Sequence, residues 1–289
     1  MSTALVLGGT GQIGRSVVEG LARDGWQVVA VSRKARDARA HPGVRWLDGS
    51  LQAMPALPPR LDAILSCGPL DAFAEWMQAA TIDVPRVIAF GSTSLDTKSE
   101  SIDAAERELA ARLHIAESRL QARAATGGIG LTLLRPTLVY GHGMDRSLSR
   151  IVAIARRFGR FALPADAVGL RQPVHAADLA SAALACLSAP TSIGRTYALP
   201  GGEALPYFDM VARVLALLDP APRLHRLPSP LFSAVAGLAK AAGQLEGFNE
   251  AMRARMRADM VFDPAPAHAD FGYAPRRFDV FPGMFGSAG

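Results

Sequence analysis

Apolar runs of strand length alternate with segments of helical period through the first half of the chain. This alternation is typical of an α/β fold, in which crossover helices bury a doubly wound parallel sheet on both faces. The predicted strands are Ala4 to Leu7, Gln27 to Val31, Val44 to Leu47, Ala63 to Ser66, Val87 to Phe90 and Leu131 to Leu134. The predicted helices lie near Ile13 to Arg23, Asp71 to Ala79 and Ala104 to Ala125.

The connection between the third and fourth predicted strands lacks a helical pattern. The stretch from Met54 to Pro59 contains Pro55, Pro58 and Pro59. Each proline removes a backbone donor and clashes with the preceding turn, so a loop is expected there.

After Tyr140 the pattern becomes mostly helical, and proline and glycine interrupt it around residues 199–202 and 219–222. A helix around Ala177 to Leu187 is expected to return to the first domain. The sequence therefore predicts a doubly wound domain over residues 1–164, with a returning segment at 173–200. A smaller, mostly helical C-terminal lobe is predicted over residues 201–289.

Composition is that of a globular protein, with 49% hydrophobic and 20% charged residues. No apolar run reaches the roughly 18 residues of a membrane span, and the chain enters its first strand without a charged leader. We expect a cytoplasmic protein without a membrane partner. Cys67 and Cys186 lack metal-ligand spacing and are expected to be buried thiols.

The net charge of +5 comes largely from arginine, since only Lys34, Lys98 and Lys240 are lysines. Basic runs interleaved with aromatic residues do not occur, so nucleic acid is not an expected partner. The one local basic cluster consists of Arg33, Lys34, Arg36 and Arg39.

A glycine-rich turn joins the first strand to the first helix, with glycines at Gly8, Gly11 and Gly14. Without Cβ atoms, such a turn brings backbone N–H groups to a pyrophosphate at the positive end of the helix. A second strand follows at the distance that this motif requires. The pattern predicts a Rossmann-like dinucleotide site, the alternative being an ordinary strand-to-helix turn. The candidate binding residues here are Gly8, Thr10, Gly11, Gln12, Ile13 and Gly14.

The second strand ends in Ser32-Arg33-Lys34, where an NAD-binding protein would have an acid for the ribose hydroxyls. A hydroxyl followed by a guanidinium can bind and neutralise a 2′-phosphate. NADP is therefore favoured over NAD, the alternative being a solvated basic loop.

Several ordered motifs resemble the extended short-chain dehydrogenase/reductase superfamily, which includes sugar-nucleotide epimerases and dehydratases. Besides the glycine turn, they are Ala89–Ser94, Leu134–Gly141, Pro173–Ala180, Met260–Asp263 and Phe271–Phe278. The resemblance implies a nicotinamide dinucleotide and a small-molecule substrate such as a nucleotide sugar. A homodimer would be possible by analogy.

The resemblance also assigns site residues. Ser92 falls at the hydroxyl that bonds the substrate carbonyl, and Pro136 falls near the nicotinamide. The alternative for Ser92 is a strand-end hydroxyl that caps a loop. The other implied cofactor contacts are Asp48 toward the adenine and Ser66, Cys67 and Gly68 along the cleft.

The catalytic Tyr-x-x-x-Lys pair of that superfamily is missing. No tyrosine precedes Tyr140, and alignment on Glu117 places Leu109 and Leu113 at the tyrosine and lysine positions. Spacing of four residues puts all three on one helix face, so the leucines are best interpreted as an ordinary apolar stripe. Tyr140 is a remaining candidate proton donor, the alternative being packing in a Val-Tyr-Gly turn. His175 and Asp178 are expected to be structural.

Two functions remain open from the sequence. The first is an oxidoreductase or epimerase that acts on a small carbonyl or hydroxyl substrate through modified proton donors. The second is a non-catalytic dinucleotide-binding protein, either a redox sensor or a structural subunit like the tyrosine-lacking relatives in respiratory complex I.

Overall fold

The computed structural model describes residues 1–35, 41–145, 147–241, 249–281 and 284–285. Its strands are β1 (Thr3–Leu7), β2 (Gln27–Ser32), β3 (Val44–Asp48), β4 (Ala63–Ser66), β5 (Arg86–Phe90), β6 (Gly130–Pro136), β7 (Val139–Tyr140), β8 (Arg160–Pro164), β9 (Leu170–Arg171), β10 (Val174–His175), β11 (Thr196–Leu199), β12 (Leu205–Pro206) and β13 (Arg223–Leu227). Its helices are α1 (Gln12–Arg23), α2 (Leu70–Ala79), α3 (Ser94–Thr97), α4 (Ala104–Gly127), α5 (Leu148–Phe158), α6 (Ala176–Leu187), α7 (Tyr207–Leu215), α8 (Ser229–Ala241), α9 (Glu250–Arg257) and α10 (Ala265–Phe271).

The central sheet has seven parallel strands in the order β11-β6-β5-β4-β1-β2-β3. The predicted α/β fold is confirmed, and the predicted strands β1 to β6 agree with the observed bounds within two residues. Residues 54–59 form a loop, as their prolines require. The chain order reverses between β1 and β4, and this switch point brings the carboxyl ends of the strands together around a crevice.

Helices cover both faces of the sheet. One apolar cluster lies under α1 and α6, and a second lies under α2 and α4. The long helix α4 begins at Asp103, whose carboxylate accepts from the N–H groups of Ala105 and Glu106 at 2.9 and 3.2 Å. It ends at Gly128, whose φ of 63° is left-handed and favours glycine. Local capping therefore fixes both ends of this helix.

A third apolar core, which we call the lobe core, contains Tyr140, α5 and β8 together with α7 and Phe278. Helix α10 packs against β11 and α6. Elements from both sides of residue 164 therefore share cores, and the predicted domain boundary there stays a prediction.

Within the described ranges, no helix is both long enough and apolar enough to cross a membrane.

Candidate functional site

The glycine turn lies at the crevice formed by the switch point. Gly8 has a left-handed φ of 76°, and its N–H donates to the Val31 carbonyl at 3.1 Å. The Gly11 N–H closes the turn onto the Gly8 carbonyl at 2.9 Å. A Cβ on Gly14 would overlap the Gly8 carbonyl oxygen. A Cβ on Gly11 would lie 3.0 Å from the same oxygen and would contact no other described atom. Gly14 therefore serves packing, and Gly11 leaves open the space at the start of α1.

Buried polar atoms without hydrogen-bond partners cluster near this turn. Within the described part of the chain they include Gln12 Nε2, Trp46 Nε1 and Ser66 Oγ. Gln12 follows the turn and Ser66 ends β4, while the Trp46 ring lies 3.0 Å from the position of a Cβ on Gly9. A buried donor or acceptor is costly when unsatisfied, so the three atoms fit a site whose ligand supplies polar groups. Sequence reasoning missed Trp46, which lies only two residues before Asp48.

The end of β2 supports the turn from the side. The Ser32 hydroxyl is 2.5 Å from Thr10 Oγ1 and accepts from the Lys34 N–H at 3.1 Å. Ser32 is buried, while Arg33 and Lys34 are exposed beyond it. Asp48 pairs with Ser32 in the register of β3 and is exposed. Ser32 thus stabilises the glycine turn, and Arg33 and Lys34 provide the accessible positive charge. Arg36 and Arg39 lie outside the described residues.

The end of β4 closes the other side of the turn. The Cys67 N–H donates to the Leu7 carbonyl at 2.9 Å, and Cys67 and Gly68 lie against the position of a Cβ on Gly8 at 3.2 Å. Burial raises the pKa of the Cys67 thiol to about 12, so the group is protonated at neutral pH. Cys67 therefore shapes the crevice and is no nucleophile.

The face of α4 that points to the sheet is fixed by an ion pair. Arg135 donates from Nε to Glu117 Oε1 at 2.8 Å and pairs with Oε2 as well. The same guanidinium contacts Asp96 at 3.3 Å. Glu117 is the residue on which the motif alignment rests, and the placement of Leu109 and Leu113 at the tyrosine and lysine positions stays a prediction. Both leucines are half-buried, and Leu113 packs on the apolar cluster under α4.

Glu117→Gln is expected to lower the free energy of unfolding by about 3 kcal/mol, because it leaves the Arg135 charge desolvated with only Asp96 as a carboxylate partner. Urea unfolding at fixed pH measures this loss. The control is Glu108→Gln on the same helix, whose side chain is 71% exposed and 3.7 Å from Arg112. It should change stability by less than about 0.5 kcal/mol. An unchanged midpoint for Glu117→Gln would contradict the stabilising role of the pair.

Ser92 is half-buried at the carboxyl end of β5. Its hydroxyl accepts from the Ser94 N–H at 3.1 Å and so caps the start of α3. Pro136 ends β6 nearby, and its carbonyl accepts from the N–H of Thr93 at 3.2 Å. This geometry matches the alternative in which Ser92 caps a loop. Contact of Ser92 with a substrate stays a prediction.

Tyr140 lies inside the lobe core. It is fully buried, and its ring packs edge-on against His175 and Phe278. Its hydroxyl donates to the Arg277 carbonyl and accepts from the Asp279 N–H, both at 3.3 Å. Burial raises the pKa of the phenol further above its usual value. These contacts favour packing over the catalytic role considered for Tyr140.

His175 and Asp178 are structural, as expected. His175 Nδ1 accepts from the Ala177 N–H at 3.1 Å and caps α6. Asp178 binds both the N–H and the guanidinium of Arg276, at 3.0 and 2.7 Å. Asp178 thereby joins α6 to the C-terminal segment.

Glu106 is a charged residue that sequence reasoning missed. It lies on α4 one turn before Leu109, with its side chain 13% exposed. It contacts Lys98 at 3.6 Å and the Ser101 hydroxyl at 2.8 Å, and it pairs with Arg255 of α9. A carboxylate three residues before the apolar stripe was the available signal. The pair with Arg255 ties α4 to α9.

Comparisons with known proteins agree with this geometry. Residues 4–67, from β1 to just past β4, match the model of the NAD dependent epimerase/dehydratase family. The whole chain is similar to the UDP-glucuronic acid 4-epimerase of Bacillus cereus in complex with NAD, with a TM-score of 0.68, 12% identity, and coverage of 94% of this chain and 93% of that one. It is also similar to the dTDP-glucose 4,6-dehydratase of Bacillus anthracis in complex with NAD, with a TM-score of 0.65, 12% identity, and coverage of 99% and 94%.

The chain therefore has the fold of these solved structures, and residues 4–67 match the model of the NAD dependent epimerase/dehydratase family. The resemblance drawn from the motifs is confirmed at the level of the fold and of this segment.

A curated relative is "NADH dehydrogenase (ubiquinone) 1 alpha subcomplex subunit 9, mitochondrial" of Arabidopsis thaliana, which is 25% identical over 263 residues. The match covers 81% of this chain and 62% of the relative, so the chain spans about three fifths of the relative's length. The cytoplasmic location of this chain stays a prediction.

Proposed function

We propose that this chain binds NADP(H) and holds it without tyrosine-dependent proton transfer, in a structural or redox-sensing role. The observation that carries the proposal is the ion pair of Glu117 with Arg135, which holds Glu117 of α4 toward β6. On the predicted alignment, Glu117 then puts Leu109 and Leu113 where tyrosine and lysine would act. Neither leucine can exchange a proton with a substrate. Ser92 is engaged in a loop cap and Tyr140 is buried, so the other candidate donors also have structural contacts.

Dinucleotide binding is supported by the turn itself. Gly11 leaves space at the start of α1, where backbone N–H groups and the helix dipole favour a pyrophosphate. Gln12 and Ser66 offer buried polar atoms that lack partners among the described residues. The related structures contain NAD, and the family whose model matches residues 4–67 is described as NAD dependent. When bound, the cofactor would supply a nicotinamide able to accept or donate hydride.

The preference for NADP over NAD is a prediction about Arg33. Arg33→Asp should weaken NADPH binding about tenfold to a hundredfold, because it replaces a charged hydrogen-bond partner of the 2′-phosphate with a like charge. NADH affinity should change little. Calorimetric titration with both cofactors measures the difference.

The matched control is Arg23→Asp, which alters an exposed arginine in the last turn of α1, at the other end of the helix from the glycine turn. It should leave both affinities unchanged. Equal weakening of NADPH and NADH by Arg33→Asp would show that Arg33 does not recognise the phosphate.

An epimerase or dehydratase acting on a nucleotide sugar is the second candidate. It is favoured by the similarity of the whole chain to the Bacillus cereus and Bacillus anthracis enzymes and by the place of Ser92 at the end of β5. This function requires a proton donor other than tyrosine at the α4 position. Glu106 of α4 lies three residues before Leu109 and contacts Lys98 and Arg255, so this polar network is one such set of titratable groups.

A thermal-shift screen with NADPH, NADH and nucleotide sugars, combined with a turnover assay, separates these two candidate functions. A ligand at a hundred times its dissociation constant adds about 2.7 kcal/mol of apparent stability. We expect stabilisation by NADPH and no steady-state turnover of any nucleotide sugar. Stabilisation by a nucleotide sugar together with turnover would establish the enzyme, and no stabilisation by either cofactor would overturn dinucleotide binding.

A further inference from the structure

Helix α8 has an apolar strip on the surface of the C-terminal lobe. Phe232 and Ala236 are buried on the helix, which packs against β8. Leu231 and Val235, one turn apart, remain 51% and 44% exposed. Residues four apart share a helix face, so the two aliphatic side chains form one strip.

Three arginines lie at or next to the start of β8, the strand against which α8 packs, and on its partner β13. Arg160 begins β8 and lies opposite Arg223 in the register of β8 and β13, and the Arg223 N–H donates to the Gly159 carbonyl at 3.2 Å. Arg157 precedes them at the end of α5, with its guanidinium 5.3 Å from the centre of the exposed Phe158 ring. All three arginines are exposed.

None of these three arginines forms an ion pair with a carboxylate of the described residues. By contrast, Arg253 and Arg257 of the neighbouring helix α9 both pair with Asp166. We call these six residues the α8 surface: Arg157, Phe158, Arg160, Arg223, Leu231 and Val235.

We propose that the α8 surface docks on a bilayer of anionic phospholipids. The aliphatic strip and Phe158 enter the boundary between headgroups and acyl chains, while the arginines reach the headgroup anions on long apolar stems. An exposed helix face with cations along its side suits insertion in the plane of a membrane. Such docking needs no spanning segment, and sequence reasoning missed it because the surface is assembled from separate elements of the chain. It does not rest on dinucleotide binding.

Co-sedimentation with vesicles tests the proposal on the full chain without nucleotide. We expect binding to vesicles of equal parts phosphatidylcholine and phosphatidylserine, little binding to phosphatidylcholine alone, and weakening by salt. Arg160→Gln with Arg223→Gln should lower the partition coefficient about twenty- to thirtyfold, because each arginine near an anionic surface contributes about 1 kcal/mol. Leu231→Ser with Val235→Ser should lower it about tenfold or more through lost apolar burial.

Two controls change similar residues elsewhere. Arg23→Gln with Arg45→Gln removes exposed arginines of the first domain, and Ile193→Ser removes an aliphatic side chain that is 49% exposed. Neither should alter vesicle binding. Failure of the wild type to bind anionic vesicles, or equal losses in the controls, would overturn the proposal. The wild type could instead self-associate without binding vesicles, with Leu231→Ser and Val235→Ser together abolishing the self-association. That result would assign the surface to a second copy of the chain and would also overturn the proposal.

Discussion

Gly11→Val should abolish binding of both NADPH and NADH while the protein still folds. Gly11 precedes α1 with φ −73° and ψ 175°, an extended conformation that any residue adopts. A Cβ there meets only the Gly8 oxygen, at 3.0 Å, within the described structure. The valine methyl groups would fill the space at the helix start that a pyrophosphate needs. Calorimetry should detect no binding of either cofactor. The free energy of unfolding in urea, measured without nucleotide, should change by no more than about 1 kcal/mol.

Two further glycines serve as controls. Gly14→Ala should damage folding itself, because its Cβ would overlap the Gly8 carbonyl. Gly237→Ala, on α8 with no described atom within 4 Å of the added Cβ, should leave cofactor binding intact and stabilise the helix by about 0.5 to 1 kcal/mol. Retained NADPH affinity in Gly11→Val would contradict the assignment of the turn. Loss of folding in that variant would make Gly11 a packing glycine like Gly14.

The first domain could be predicted because local signals there agree with the tertiary structure. Buried parallel strands appear as continuous apolar runs, and the glycine turn has a mechanism that fixes its place between β1 and α1. The pairing of Glu117 with Arg135 was not predicted, and the alignment of α4 that rests on Glu117 stays a prediction. The residues Ser66, Cys67 and Gly68 lie beside the turn because the ends of neighbouring parallel strands meet at one edge.

The roles of polar side chains were harder to predict. Ser32 and Ser92 could each contact a ligand or cap the backbone, and the choice depends on hydrogen bonds to Thr10, Lys34 and Ser94. The partnership of Glu106 with Arg255 joins residues far apart in sequence, so no local pattern reports it. The core that each later helix joins was likewise not predictable, because a helical period does not say which core a helix joins.

Leu109→Tyr with Leu113→Lys should give the protein tyrosine-dependent turnover that the wild type lacks. On the predicted alignment of Glu117, the two substitutions rebuild the missing proton-donor pair, with the lysine lowering the pKa of the new tyrosine. A positioned acid contributes about a hundredfold to ten-thousandfold in rate. Both proteins are assayed with NADPH against simple carbonyl compounds and nucleotide sugars, after equal cofactor occupancy is established by titration.

The control is Leu109→Phe with Leu113→Met, which changes the shape of the same face without adding a proton donor. Leu113 packs on the apolar cluster under α4, so both double variants should lose some stability, and activity is compared among folded fractions. If only the tyrosine–lysine variant gains turnover, with a pH dependence set by the new phenol, the scaffold retains the geometry for this chemistry and lacks only the donors. If the wild type already turns over efficiently, and Ser92→Ala and Tyr140→Phe leave its rate unchanged, the proton donor lies elsewhere. Glu106 is then the first residue to substitute, because it is the titratable carboxylate one turn from Leu109.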